Sequence, residues 1–198
     1  MKFLRCADEN EMLLCFLKGE LTSARFRADL LRALSRHHTD ASLLLCGDIT
    51  DEGQNTLRKL VMGSFRGYPD REIFQDMPPV SRWFLAEFEA ADLARIRYIN
   101  DSYWLELSGG TRAPLDGARA VLSGHEAFGV SNAPFLAGAD HLRKGGQFPP
   151  LILLTDEAGH SVILEGHLRM TVYGMLPDRF AGTQGYIGLT DAASLRRK

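Results

Sequence analysis

Val162-Ile163-Leu164-Glu165-Gly166-His167-Leu168-Arg169-Met170-Thr171-Val172-Tyr173 reads as a short buried strand that turns through one glycine straight into a helix. A carboxylate, an imidazole and a guanidinium, from Glu165, His167 and Arg169, fall within five positions at that turn. The first turn of a helix leaves backbone N–H groups unpaired and carries the positive end of the helix dipole, so an anion is stabilised there twice over. Gly166 has no Cβ and lets the backbone approach such an anion. His167 and Arg169 are cations where an isolated helix disfavours them, which makes sense when an anion is shared between them. Glu165 has two readings. It is either a general base or metal-contacting group beside the ligand, or a structural group that caps the helix or pairs with Arg169.

Working outward, Gly145-Gly146-Gln147-Phe148-Pro149-Pro150 is a turn, and Leu151 to Leu154 is a fully apolar strand. Asp156 to His160 is a polar hairpin turn, and Ser161 to Leu164 returns as the second strand. A helix over 167–176 stops before Pro177, and Gly182 to Leu189 offers a last strand. Helix, turn, strand, hairpin, strand, helix, strand is an α+β order.

The run from Ala139 to Tyr173, with Gly146-Gln147-Phe148-Pro149-Pro150 before the first strand and Glu165-Gly166-His167-Leu168-Arg169 after the second, resembles the core of the ParB/sulfiredoxin-like family. In ParB partition proteins the matching glycine-to-arginine motif binds the phosphates of CTP, and in sulfiredoxin those of ATP beside a catalytic cysteine. Related free-serine kinases carry an acidic-Gly-His-x-Arg form. The resemblance implies a small mixed sheet with helices, and it makes Gly166, His167 and Arg169 the phosphate-contacting positions. It also implies a nucleoside di- or triphosphate with Mg²⁺ as ligand. No cysteine lies near 165–169, so sulfiredoxin's reductase chemistry is not expected. Leu168 stands where ParB has a second arginine, and no helix-turn-helix pattern follows Tyr173, so DNA partition is not expected either.

The segment before this core reads as helical. Glu9 to Lys18 forms a short helix closed near Gly19, and Thr22 or Ser23 caps a second, with Phe26, Leu30, Leu31 and Leu34 on one face, ending around His37-His38. Ser42 to Cys46 is a short apolar run. Asp48, Thr50 or Asp51 caps a third helix that stops at Gly67-Tyr68-Pro69. Met77-Pro78-Pro79 marks the boundary, giving a helical segment over 1–75 and the α+β core over 76–198. Inside the core, Val80 to Phe88 reads as a strand and Glu89 to Arg95 as a short helix, while Ile96 to Leu107 is open between the two, with Tyr98, Ile99, Tyr103, Trp104 and Leu107 fitting a helical face slightly better than alternation. Ser108-Gly109-Gly110-Thr111-Arg112 is a loop from which Arg112 can contribute to a phosphate site. Helices follow over Asp116 to Leu122 and Ala133 to Leu142, while His125 and His141 read as structural or solvated.

A net charge of −2 supplies no global basic field for nucleic acid. Eighteen arginines against five lysines favour bidentate anion binding, or reflect codon bias. Cys6, Cys15 and Cys46 form no CxxC pair and suggest neither a disulfide framework nor a zinc site. Acidic residues from Asp8 to Glu11 interrupt the start of the chain, and no apolar run is long enough to span a bilayer, so neither a signal peptide nor a membrane partner is expected and a cytoplasmic protein is. The functional expectation is a nucleotide- or phosphate-binding protein. If it is an enzyme, it runs phosphoryl transfer or nucleotide hydrolysis with Glu165 as base. The alternative is a non-catalytic interaction module in which Glu165 and Arg169 pair internally and aromatics among Trp83, Phe84, Tyr98, Tyr103 and Trp104 form a partner surface.

Overall fold

In the computed structural model, which describes residues 1–195, the chain divides into two compact units, Ala7–Met77 and Met1–Cys6 with Pro78 onward. The division falls two residues from the expected boundary, and the first six residues leave the expected helical segment 1–75 for the other unit.

The Ala7–Met77 unit is built from α1 (Glu9–Leu21), α2 (Arg27–Arg36), α3 (Ser42–Leu45) and α4 (Glu52–Arg66). Asp8 caps α1 by accepting from the Glu11 N–H at 2.9 Å, and Asp51 caps α4 by accepting from the Gln54 N–H at 3.0 Å. Helix α1 runs through Gly19 rather than stopping there, and Thr22 ends it instead of opening α2. The Ser42 to Cys46 apolar run closes into the single turn α3. Gly67 ends α4 in the left-handed conformation with φ 76°.

Arg58, 1% exposed, ties this unit together. Its guanidinium donates to the Leu43 carbonyl and the Asp48 carbonyl, both at 3.2 Å, and to Gln54 Oε1 at 3.1 Å. A Cβ on Gly47 would sit 2.3 Å from the Leu43 oxygen and 2.4 Å from Arg58 Nη2, so only glycine lets the chain pass over this charge.

The second unit is organised on a six-stranded mixed sheet: β1 (Lys2–Ala7), β2 (Arg82–Glu87), β3 (Ile96–Arg97), β4 (Leu151–Thr155), β5 (Ser161–Glu165) and β6 (Gln184–Leu189), in the order β1-β2-β6-β4-β5-β3. Strand β4 is central, antiparallel to β5 and parallel to β6, and every one of its residues is buried, which is why it reads as an unbroken apolar run. Strand β3 pairs in parallel with β5 at the sheet edge. The helices are α5 (Ser102–Leu107), α6 (Pro114–Leu122), α7 (Ala133–Arg143), α8 (His167–Met175) and the short α9 (Ala192–Leu195). Leu151, Leu153, Ile163 and Ile187 share a core with Ala118 and Val121 of α6, Phe135 and Ala139 of α7, and Met170 and Tyr173 of α8. This is the α+β class expected. Ile96 to Leu107 is not one helical face: it splits into β3 and α5, because Asp101 accepts from the Tyr103 N–H at 3.0 Å and starts a new helix. No helix among the described residues is long and apolar enough to cross a membrane.

The β4–β5 turn is held by Asp156, which accepts from the His160 N–H at 2.8 Å and lies 3.0 Å from His160 Nδ1. Burial raises the Asp156 carboxyl, but the His160 hydrogen bonds and charge outweigh it and leave it below the ordinary carboxylate value. A depressed carboxylate stabilises the fold above its unfolded value and loses that contribution as pH falls through the folded one. Asp156→Ala is therefore expected to cost about 1–3 kcal/mol at neutral pH, with the difference from the parent shrinking in acid below about pH 3.9. Urea titrations of both proteins at the two pH values measure it, and a pH-independent difference contradicts it.

Candidate functional site

The junction forms where β5 ends. Gly166 is the N-cap of α8 with φ 107° and ψ 24°, a left-handed conformation, and a Cβ there would lie 2.5 Å from Leu151 Cδ2. Packing and backbone thus both require glycine at this position. The first helical bond, from the Met170 N–H to the Gly166 carbonyl, is 2.8 Å long. Gly166 supplies no side-chain cap, and the N–H groups of Leu168 and Arg169 meet no acceptor among the described residues.

Arg169 folds back over the turn that precedes β4. Its Nη1 donates to the Pro149 carbonyl at 2.8 Å and the Pro150 carbonyl at 2.7 Å, and its Nη2 to Glu165 Oε1 at 2.7 Å. The two charged side chains are 12% and 21% exposed, so the pair is largely withdrawn from water. Of the two readings of Glu165, the geometry has the internal ion pair: its carboxylate goes to Arg169 rather than to the helix N–H groups. A β-bulge between Ile152 and Leu153 sits opposite, where the register passes from Glu165 to Ile163.

His167 belongs to a different set of contacts. Its ring stacks on Trp104 at 5.0 Å and lies 6.1 Å from Tyr98, while Tyr98 and Trp104 stack at 4.7 Å. The Tyr98 hydroxyl and Thr171 Oγ1 are 2.8 Å apart, and Thr171 donates to the His167 carbonyl at 2.9 Å, so Tyr98 is the donor of the first bond. Burial pushes the Tyr98 phenol far up, against the opposite pull of the Thr171 hydrogen bond. Tyr98 and Trp104 thus prove to be part of the junction's wall, a role their helix-like spacing in the sequence did not signal.

Arg112 sits in the left-handed region with φ 59°, and its Nε donates to the Tyr98 carbonyl at 2.8 Å. Its Nη2 is buried and has no hydrogen-bond partner. Burial and the nearby Arg97 depress the guanidinium, which stays charged. Because β3 runs parallel to β5, Tyr98 and the end of β5 lie at the same end of the sheet. The structure therefore joins Glu165, Gly166 and Arg169 directly and His167 through the aromatic stack. It ties Arg112 to the Tyr98 carbonyl, and among the described residues no hydrogen bond or ion pair joins Arg112 to Glu165, Gly166 or Arg169.

A nucleotide-borne Mg²⁺ does not suit Glu165 as a protein ligand. The cation would share that carboxylate with a guanidinium 2.7 Å away. Among the described residues no group of three or more His, Cys, Asp or Glu side chains is arranged to hold a metal.

Fold and junction define the class: a mixed α+β protein with an uncapped, glycine-headed helix at the end of an internal strand. Comparison with protein-family models, with curated proteins and with solved structures gives no match.

Proposed function

We propose that the protein binds a phosphate-bearing ligand, a nucleotide or another phosphate ester, at the N-terminus of α8, on a domain of the ParB/sulfiredoxin-like type. One observation carries this reading: α8 opens at Gly166 without a cap, and the Leu168 and Arg169 N–H groups lack acceptors while the adjacent carboxylate is turned away to Arg169. An oxyanion satisfies those donors and the helix dipole together. Gly166 gives it room, His167 flanks it, and Arg112, with its Nη2 uncommitted, is tied to the same wall through the Tyr98 carbonyl. In this arrangement Arg169 positions the Pro149-Pro150 turn and Glu165 holds Arg169. A base role for Glu165 would require breaking that pair, so binding, rather than phosphoryl transfer, is the activity proposed.

The Glu165–Arg169 pair also favours a second reading, an interaction module that keeps the fold and binds no phosphate, because the clamp has a structural use without a ligand. A thermal-shift series with nucleoside di- and triphosphates, with and without Mg²⁺, separates the two. A ligand at about one hundred times its Kd stabilises the folded state by about 2.7 kcal/mol. A rise in melting temperature that Arg112→Gln and His167→Ala reduce supports the phosphate site. No rise with any phosphate leaves the interaction module.

A further inference from the structure

The helical unit carries a cleft of about 290 Å³ lined by Phe26, Asp29, Arg36, Ser64, Phe65, Arg66 and Glu72. That volume is at the lower edge of the ~300–1,000 Å³ range of small-molecule sites. Phe26, Asp29 and Arg36 recur at helical spacing along one side of α2, and Ser64, Phe65 and Arg66 are the last turn of α4. His37 Nε2 and Ser64 Oγ, 3.0 Å apart, fasten the two helices together. Ser64 already donates to the Val61 carbonyl at 3.1 Å, so the His37 ring is the donor in that contact and Ser64 keeps acceptor capacity only.

Arg66 is the unusual group. Its guanidinium lies 4.5 Å from the Phe26 ring and 5.8 Å from Phe65, and its Nε is buried with no hydrogen-bond partner. Stacking on Phe26 and the end of α4 account for its position, but neither supplies an acceptor. Arg36 likewise has no ion-pair partner among the described residues. The acids are not matched to these cations: Asp29 is bonded to Arg32, and Glu72 has no ion-pair partner among the described residues. Two guanidiniums without ion-pair partners, Arg66 stacked on Phe26 and Phe65 and Arg36 on the lining of the same cleft, beside the single unpaired carboxylate of Glu72, suit one singly charged oxyanion rather than a polyanion.

We propose that this cleft binds a small organic carboxylate whose carboxyl group is forked by Arg66 and Arg36 and whose flat apolar body lies against Phe65, the Phe26 ring being covered by the Arg25 and Arg66 guanidiniums. This site is separate from the phosphate site proposed at α8 and stands or falls without it. The probe is benzoate, added to the full-length protein, with the side-chain Nε–H resonance of Arg66 read by nitrogen-15 NMR and affinity by calorimetry. Benzoate is expected to move that resonance downfield in a saturable way, while ATP leaves it unchanged. Arg66→Lys, which keeps the charge at the helix end but loses the fork, is expected to bind benzoate about tenfold or more weakly. Arg36→Gln, at an exposed position, is expected to weaken it with the circular dichroism unchanged. No movement of the Arg66 resonance with benzoate overturns the proposal, as does a response to phosphate or ATP in its place, or benzoate binding of equal strength in both variants.

Discussion

Replacing Arg169 by alanine is expected to destabilise the protein by about 3–5 kcal/mol, the range for removing one partner of a buried, hydrogen-bonded charge pair. Three acceptors lose their donor at once: the Pro149 and Pro150 carbonyls and the Glu165 carboxylate. Neither proline has an N–H with which to compensate through sheet pairing, so the turn into β4 loses both of these hydrogen bonds to α8. Arg169→Lys is expected to recover less than half, because an ammonium cannot span two carbonyls and a carboxylate as the planar fork does. Glu165→Gln keeps an acceptor and should cost about 1–2 kcal/mol. Trp83 and Trp104 both lie in the sheet-containing unit, so tryptophan fluorescence in a urea titration follows the effect. An Arg169→Ala protein as stable as the parent but unresponsive to phosphate would make Arg169 a ligand residue rather than a clamp.

Arg58→Met carries the second large effect. Methionine roughly fills the space but leaves the buried Leu43 carbonyl and the part-buried Asp48 carbonyl without their donor, at a cost of about 2–4 kcal/mol in total. Burial lowers the Arg58 pKa, with Asp51 and Asp48 acting against it, and the guanidinium stays protonated, so the loss should not depend on pH near neutrality. Far-UV circular dichroism in urea, dominated by helices such as α1, α2 and α4, is expected to show an earlier midpoint. A midpoint equal to the parent's contradicts the central role given to Arg58.

What could be read from the sequence was local. Strand β4, the Asp156–His160 turn, β5 and α8 were legible because an apolar run, two glycines and two prolines punctuate them, and Asp51 and Gly67 mark the ends of α4. Strand β1 was not, since its first five residues are exposed and show no alternation, and β3 is only two residues long. At the candidate site, Gly166 followed from the strand-to-helix change. The partner of Glu165 did not, because the competition is decided by carbonyls some 20 residues away along the chain, at Pro149 and Pro150. The Tyr98–Trp104–His167 stack and the cleft around Arg66 likewise join residues far apart in sequence, which no periodicity records.

The central claim is that an anion completes the N-terminus of α8. Its most direct measurement is a backbone amide NMR titration of the full-length protein, first with inorganic phosphate and then with ATP. Saturable downfield shifts of the Leu168 and Arg169 amides, larger than those elsewhere and reduced in Arg112→Gln, are the expected result. Amides at 167–169 that stay fixed through the titration would contradict it.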